Sequence, residues 1–105
     1  MSWPNTDDGD VFRRLLSSQF DFNADWQVDY NVDFKSWPPA KEAISRLRED
    51  FANPTIYEPE DGRAGYVLFR EHGRLTYDRV IAVQEQVSKA MAPFGGVCES
   101  WGVFH

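Results

Sequence analysis

Residues 25–35, DWQVDYNVDFK, alternate with period two. Trp26, Val28, Tyr30, Val32 and Phe34 are apolar, and Gln27, Asp29, Asn31, Asp33 and Lys35 between them are polar. Successive side chains of a strand point to opposite faces, so this pattern buries one face and wets the other. β-branched and aromatic residues suit a pleated, half-buried surface. The stretch predicts a long central strand over 25–35.

The elements on either side follow from turn and cap chemistry. Before the strand, Val11, Phe12, Leu15, Leu16 and Phe20 recur at helical spacing, which predicts a helix over 11–19 with Asp10 as its cap. Residues 1–8 read as a flexible lead-in, and 9–105 as a single domain. After the strand, Trp37-Pro38-Pro39 stops the extended run. Ala40, Ala43, Ile44, Leu47 and Phe51 then form an amphipathic helical stripe, ended by Asn53-Pro54. Thr55-Ile56-Tyr57 and residues 64–71 predict a hairpin around the Asp61-Gly62 turn, closed by His72-Gly73. Thr76 caps a second amphipathic helix carrying Val80, Val83, Val87, Ala90 and Met91, and Phe94-Gly95-Gly96 ends it. Residues 97–104 remain as a last strand.

The last six elements read as βαββαβ. The expected fold is therefore α+β and ferredoxin-like: a four-stranded antiparallel sheet with helices on one face, plus an extra N-terminal helix. The final strand should pair with the first. Strict alternation gives it two mixed faces, Val97, Glu99, Trp101 and Val103 on one and Cys98, Ser100, Gly102 and Phe104 on the other. Either Trp101 or Phe104 should then stand near the open face.

Composition bounds the function. The chain has 105 residues, 15% of them aromatic, a net charge of −6 and one cysteine, Cys98. One cysteine permits no internal disulfide and no CxxC metal knuckle. An acidic chain lacks the Lys and Arg that displace counterions from a nucleic-acid backbone. No apolar run reaches the ~20 residues that cross a bilayer. The start, MSWPNTDDGD, predicts no signal peptide. These features point to a cytoplasmic protein with no membrane partner and no direct nucleic-acid contact.

The residues also weigh against catalysis. No phosphate-binding glycine loop is present. Nothing sets His72 or His105 beside Cys98 as a base for a nucleophile, and neither histidine has metal-ligand spacing to another ligand. Asp29, Asn31 and Asp33 share one strand face about 7 Å apart, too far to converge on a cation. They read as a solvated stripe or as an acidic surface for a basic partner. Aromatics on central strands can stack bases in RNA-binding sheets, but here the strand carries Asp and no basic rim. The sequence calls for no catalytic residue, metal or cofactor.

Several pieces in one order resemble the regulator of ribonuclease E activity B (RraB) family of bacteria. Asp8-Gly9-Asp10 opens a short helix, residues 29–34 form the strand, and Leu75-Thr76 opens the later helix. Phe94-Gly95-Gly96 then leads to Glu99-Ser100-Trp101-Gly102, where the family typically has Asp-Gly-Trp-Gly. Glu99 and Ser100 depart from that motif, and the acidic tail of the best-known members does not follow it. The resemblance implies a ferredoxin-like fold and a non-enzymatic role: contact with an endoribonuclease of the ribonuclease E type, lowering its activity. The partner-binding residues expected on this reading are Asp29, Asn31, Asp33, Glu99 and Trp101. The alternative is a small-ligand-binding or self-associating domain of the same fold, such as a homodimer.

Overall fold

A computed structural model describes residues 3–51 and 54–103. The elements are α1 (Asp7–Ser17), β1 (Asp25–Phe34), α2 (Lys41–Asp50), β2 (Thr55–Tyr57), β3 (Tyr66–Arg74), α3 (Tyr77–Met91) and β4 (Gly96–Val103). A short 3-10 turn, Ala92–Phe94, joins the last two. The four strands form one antiparallel sheet in the order β2-β3-β1-β4. The predicted central strand is central, with β3 on one side and β4 on the other. β3 lies between β1 and β2 and is antiparallel to both.

One face of this sheet is dry. Val28, Tyr30 and Val32 of β1 are buried in a single cluster with Val67 and Phe69 of β3 and Cys98 of β4. Helices supply the rest: Phe12 and Leu15 from α1, Ala43, Ile44 and Leu47 from α2, and Val80, Val83, Val87 and Met91 from α3. The Phe69 ring lies between two others, 5.2 Å from Tyr30 and 4.2 Å from Phe51.

α1 begins earlier than its apolar spacing predicts. Its cap is Thr6, not Asp10: the Thr6 hydroxyl accepts from the Gly9 N–H at 3.1 Å. Asp7 and Asp8, read as lead-in, join Asp10 in the first turn, where carboxylates meet the positive end of the helix dipole. Gly9 lies inside the helix and cannot carry a side chain, since a Cβ there would fall 2.0 Å from the Pro4 carbonyl oxygen. Trp3, also in the expected lead-in, packs 5.4 Å from Phe12. The helix stops before Gln19, whose φ of 63° is left-handed.

Two other boundaries move. His72-Gly73 does not close the hairpin; β3 runs on to Arg74 because β1 pairs with it as far as Asp25. α2 ends at Asp50, with Phe51 already extended; Asn53 of the expected terminator lies outside the described residues. The Asp61-Gly62 turn is as expected, with both residues at positive φ. Thr76 caps α3 as read, its hydroxyl accepting from the Arg79 N–H at 3.2 Å.

Burial grades the aromatics. Trp26 is only half-buried, stacked 4.6 Å from Phe20, whereas Phe69 is fully enclosed. Phe69→Ala should cost about 3–5 kcal/mol, the range for emptying a core aromatic site, and Trp26→Ala clearly less. Urea denaturation of both variants checks the order; a larger loss at Trp26 contradicts the packing described.

Candidate partner-binding face

The register of the sheet fixes what stands on its other, helix-free face. Cross-strand partners share a face, so successive rows can be read across β2, β3, β1 and β4. The first row is Tyr57, Tyr66, Asp33 and Val97; the second is Thr55, Leu68, Asn31 and Ser100. The third is Arg70, Asp29 and Gly102. Beyond it His72 stands opposite Gln27 and Arg74 opposite Asp25. One end of the face is thus aromatic and aliphatic, and the other is charged. Tyr57 stacks on Tyr66 at 4.9 Å while remaining 39% exposed, and Val97 is 37% exposed.

The last strand reaches this arrangement through a bulge. Val32 faces Cys98 and Asn31 faces Ser100, which leaves Glu99 as an extra residue in β4. The extra residue breaks strict alternation. Cys98, Trp101 and Val103 therefore share the helix face, and Val97, Ser100 and Gly102 share the open face. This corrects the two mixed faces expected from alternation. Trp101 stands on the helix side, its ring 5.4 Å from Phe12 and its indole Nε1 donating to Asp8 Oδ1 at 2.8 Å. Phe104, the other residue expected near the open face, and His105 lie outside the described residues.

The Asp8–Trp101 hydrogen bond ties α1 to β4 across 93 positions of sequence. Gln84 of α3 approaches the same carboxylate at 3.5 Å. The acidic opening of α1 and the Trp-Gly ending are thus one contact. Sequence reading missed it, and its only signal was an acidic residue and an indole donor at opposite ends of the chain.

β4 is an edge strand, and α3 covers part of that edge. The Ser88 hydroxyl accepts from the Cys98 N–H at 2.9 Å and donates to the Cys98 carbonyl at 3.1 Å. Backbone groups that would pair with a further strand are occupied there. The Cys98 thiol is buried, and burial, reinforced by Asp33 and Glu99, pushes its pKa from 9.0 up to about 12. His72 is exposed on the opposite face of the sheet from Cys98, so the two form no pair.

The acidic stripe is partly compensated. Asp29 Oδ1 lies 3.3 Å from Arg70 Nε and accepts from Gln27 Nε2 at 3.2 Å. Asn31 Nδ2 donates to Ser100 Oγ at 3.2 Å, while its Oδ1 is buried without a donor among the described residues. Asp33 and Glu99 are exposed. Of the five sequence-predicted residues, Asp29, Asn31 and Asp33 share the open face, Glu99 sits at the bulge, and Trp101 belongs to the helix side. A cleft of about 310 Å³ opens on this face between Asp29, Asn31, Tyr66, Leu68 and the β4 segment Trp101–Val103. Among the described residues no group of three or more His, Cys, Asp or Glu could hold a metal ion. No helix among them is long and apolar enough to cross a membrane.

A small α+β domain with an open sheet face and a carboxylate-anchored N-terminal helix is the class these features define. The family model described as regulator of ribonuclease activity B matches residues 5–103, nearly the whole chain, and the chain belongs to that family. The match takes in both Asp8 and Trp101. No curated protein matches the chain.

Two outcomes follow. Asp8→Ala and Trp101→Phe should each destabilise the fold, and a double-mutant cycle should return a coupling of about 1.5–3 kcal/mol, the scale of a hydrogen bond to a charged acceptor. Additive losses contradict the contact. For Cys98, the folded pKa lies above the unfolded one, so its contribution is complete below pH 9.0 and is lost as pH climbs toward about 12. The alkaline fall in stability, followed by thermal melts, should be shallower in Cys98→Ala; an identical slope contradicts it.

Proposed function

We propose that this protein is a non-enzymatic regulator that binds a ribonuclease of the ribonuclease E type, or its scaffold segment, and lowers its activity by contact. The family match supports a role in controlling ribonuclease activity. The observation that carries the surface is the sheet face that no helix covers, with Asp29, Asn31 and Asp33 in its middle strand. Exposed tyrosines make good anchors at interfaces, and Tyr57 and Tyr66 stand at one end of that face. Glu99, exposed at the bulge, extends the acidic rim. Trp101 contributes indirectly, by holding β4 and α1 together. The proposed fold is ferredoxin-like, a reading that the strand order β2-β3-β1-β4 supports, with β1 between β3 and the returning β4. A cytoplasmic location follows from the proposed partner.

A second reading, self-association through the same face, has its own support. An acidic column on β1, Asp25 and Asp29, runs beside a basic one on β3, Arg70 and Arg74. Two copies related by a two-fold axis could match these columns to each other.

The test is a cleavage assay with a purified endoribonuclease of this type and increasing amounts of the protein. The expected result is dose-dependent slowing that weakens with salt, since the contact is partly electrostatic. Asp29→Asn with Asp33→Asn should fold normally and inhibit several-fold less. Unchanged inhibition by the double variant removes the acidic surface from the account. A mass that doubles with concentration, with no effect on cleavage, favours self-association.

A further inference from the structure

We infer that the cleft beside Gly102 is a binding site for one arginine side chain presented by the partner. This rests on the open face being the contact surface and assigns the cleft a specific occupant.

Gly102 is the first observation. A Cβ built there meets no atom within 4 Å, and the residue is not among those at positive φ. Neither crowding nor backbone conformation therefore calls for glycine. Glycine within a strand weakens it, because it adds backbone entropy and packs nothing. What the missing side chain does is leave a notch in the third row of the open face, directly opposite Asp29. Gly102 is one of the residues that line the cleft of about 310 Å³.

The lining supplies the second observation. The cleft is bounded by Asp29, Asn31, Tyr66, Leu68 and the Trp101–Val103 segment, with no Lys or Arg among these residues. Asp29 Oδ1 is engaged by Arg70 and Gln27, and the side chain keeps 17% of its surface exposed toward solvent. Asn31 Oδ1 lacks a donor among the described residues. It is covered in the free chain, so reaching it requires the amide to turn toward the cleft, at the expense of its 3.2 Å bond to Ser100. The cleft is thus lined by a carboxylate and by an amide whose oxygen lacks a donor, two positions apart on one strand face, with Tyr66 and Leu68 on the neighbouring strand.

That combination fits a guanidinium better than an ammonium. A guanidinium presents several N–H donors in one plane and can serve a carboxylate and an amide oxygen together. Its flat face stacks on aromatic rings, as Tyr66 permits. Its aliphatic stem can lie along Leu68. The acidic balance of the chain, net −6, favours approach of a cationic segment.

The test uses short blocked peptides carrying one central arginine, lysine or citrulline, titrated into the labelled protein and followed by amide and side-chain NMR shifts. The expected result is saturable shifts confined to Asp29, Asn31, Ser100 and Gly102 with the arginine peptide. Binding should be at least tenfold weaker for citrulline and weaker for lysine. Gly102→Val should fold with unchanged or raised thermal stability, since the added side chain meets open space, and should abolish the shifts. Shifts that are equal for citrulline, or scattered over all the acidic residues, overturn the site. So does retention of binding by a folded Gly102→Val. Ribonuclease inhibition distinguishes the two levels. If Gly102→Val still inhibits but Asp29→Asn with Asp33→Asn does not, the face stands and the arginine site falls. If neither variant affects inhibition, the face itself is wrong.

Discussion

The two-faced pairing of β1 is the constraint on which everything else depends. This strand carries hydrogen-bonded neighbours along both edges, so its side chains are sorted strictly into those against the helices and those against solvent. A one-residue slip would exchange Val28, Tyr30 and Val32 for Asp29, Asn31 and Asp33 in the core, which burial of charge forbids. The same alternation that fixes the core therefore also fixes the polar stripe. The stripe gains local support from Arg70 opposite Asp29, a cross-strand pair of opposite charge.

The bulge at Glu99 reconciles β4 with that frame. Without the extra residue, strict alternation would send either Cys98 or Trp101 to the wet face. With it, both stay dry, and Gly102 arrives on the open face opposite Asp29. The irregularity also coincides with a protected stretch of edge, where Ser88 occupies the N–H and C=O of Cys98. Bulges and covered backbone groups both discourage an edge strand from pairing with another chain. Contact through the sheet face is then more natural for this domain than extension of the sheet at that edge.

Much of this was legible in the sequence, for identifiable reasons. β1 was readable because its alternation is unbroken over ten residues, and α3 because Thr76 and a regular apolar stripe mark it. The start of α1 was not, because its apolar spacing begins only at Val11 and Asp10 offers a cap there; only the close approach to the Pro4 carbonyl explains a glycine inside the helix. The end of β3 was misread because His72-Gly73 resembles a turn, while pairing with β1 holds it extended to Arg74. The acidic stripe was foreseen as a group, but the side on which Trp101 stands was not. An inserted ladder residue leaves no mark on composition, and the bond between Asp8 and Trp101 joins opposite ends of the chain.

The central claim is that the open sheet face, and not the helical side, meets the ribonuclease. Cysteine protection tests it most directly. In a Cys98→Ala background, single cysteines are placed on the open face by Ser100→Cys or Thr55→Cys, and on the helices by Ser45→Cys or Glu85→Cys. Each is labelled with a maleimide in the presence and absence of the partner. The account predicts slowed labelling at the two open-face positions and unchanged labelling on the helices. Protection of the helical positions with free labelling at Ser100→Cys and Thr55→Cys would contradict it.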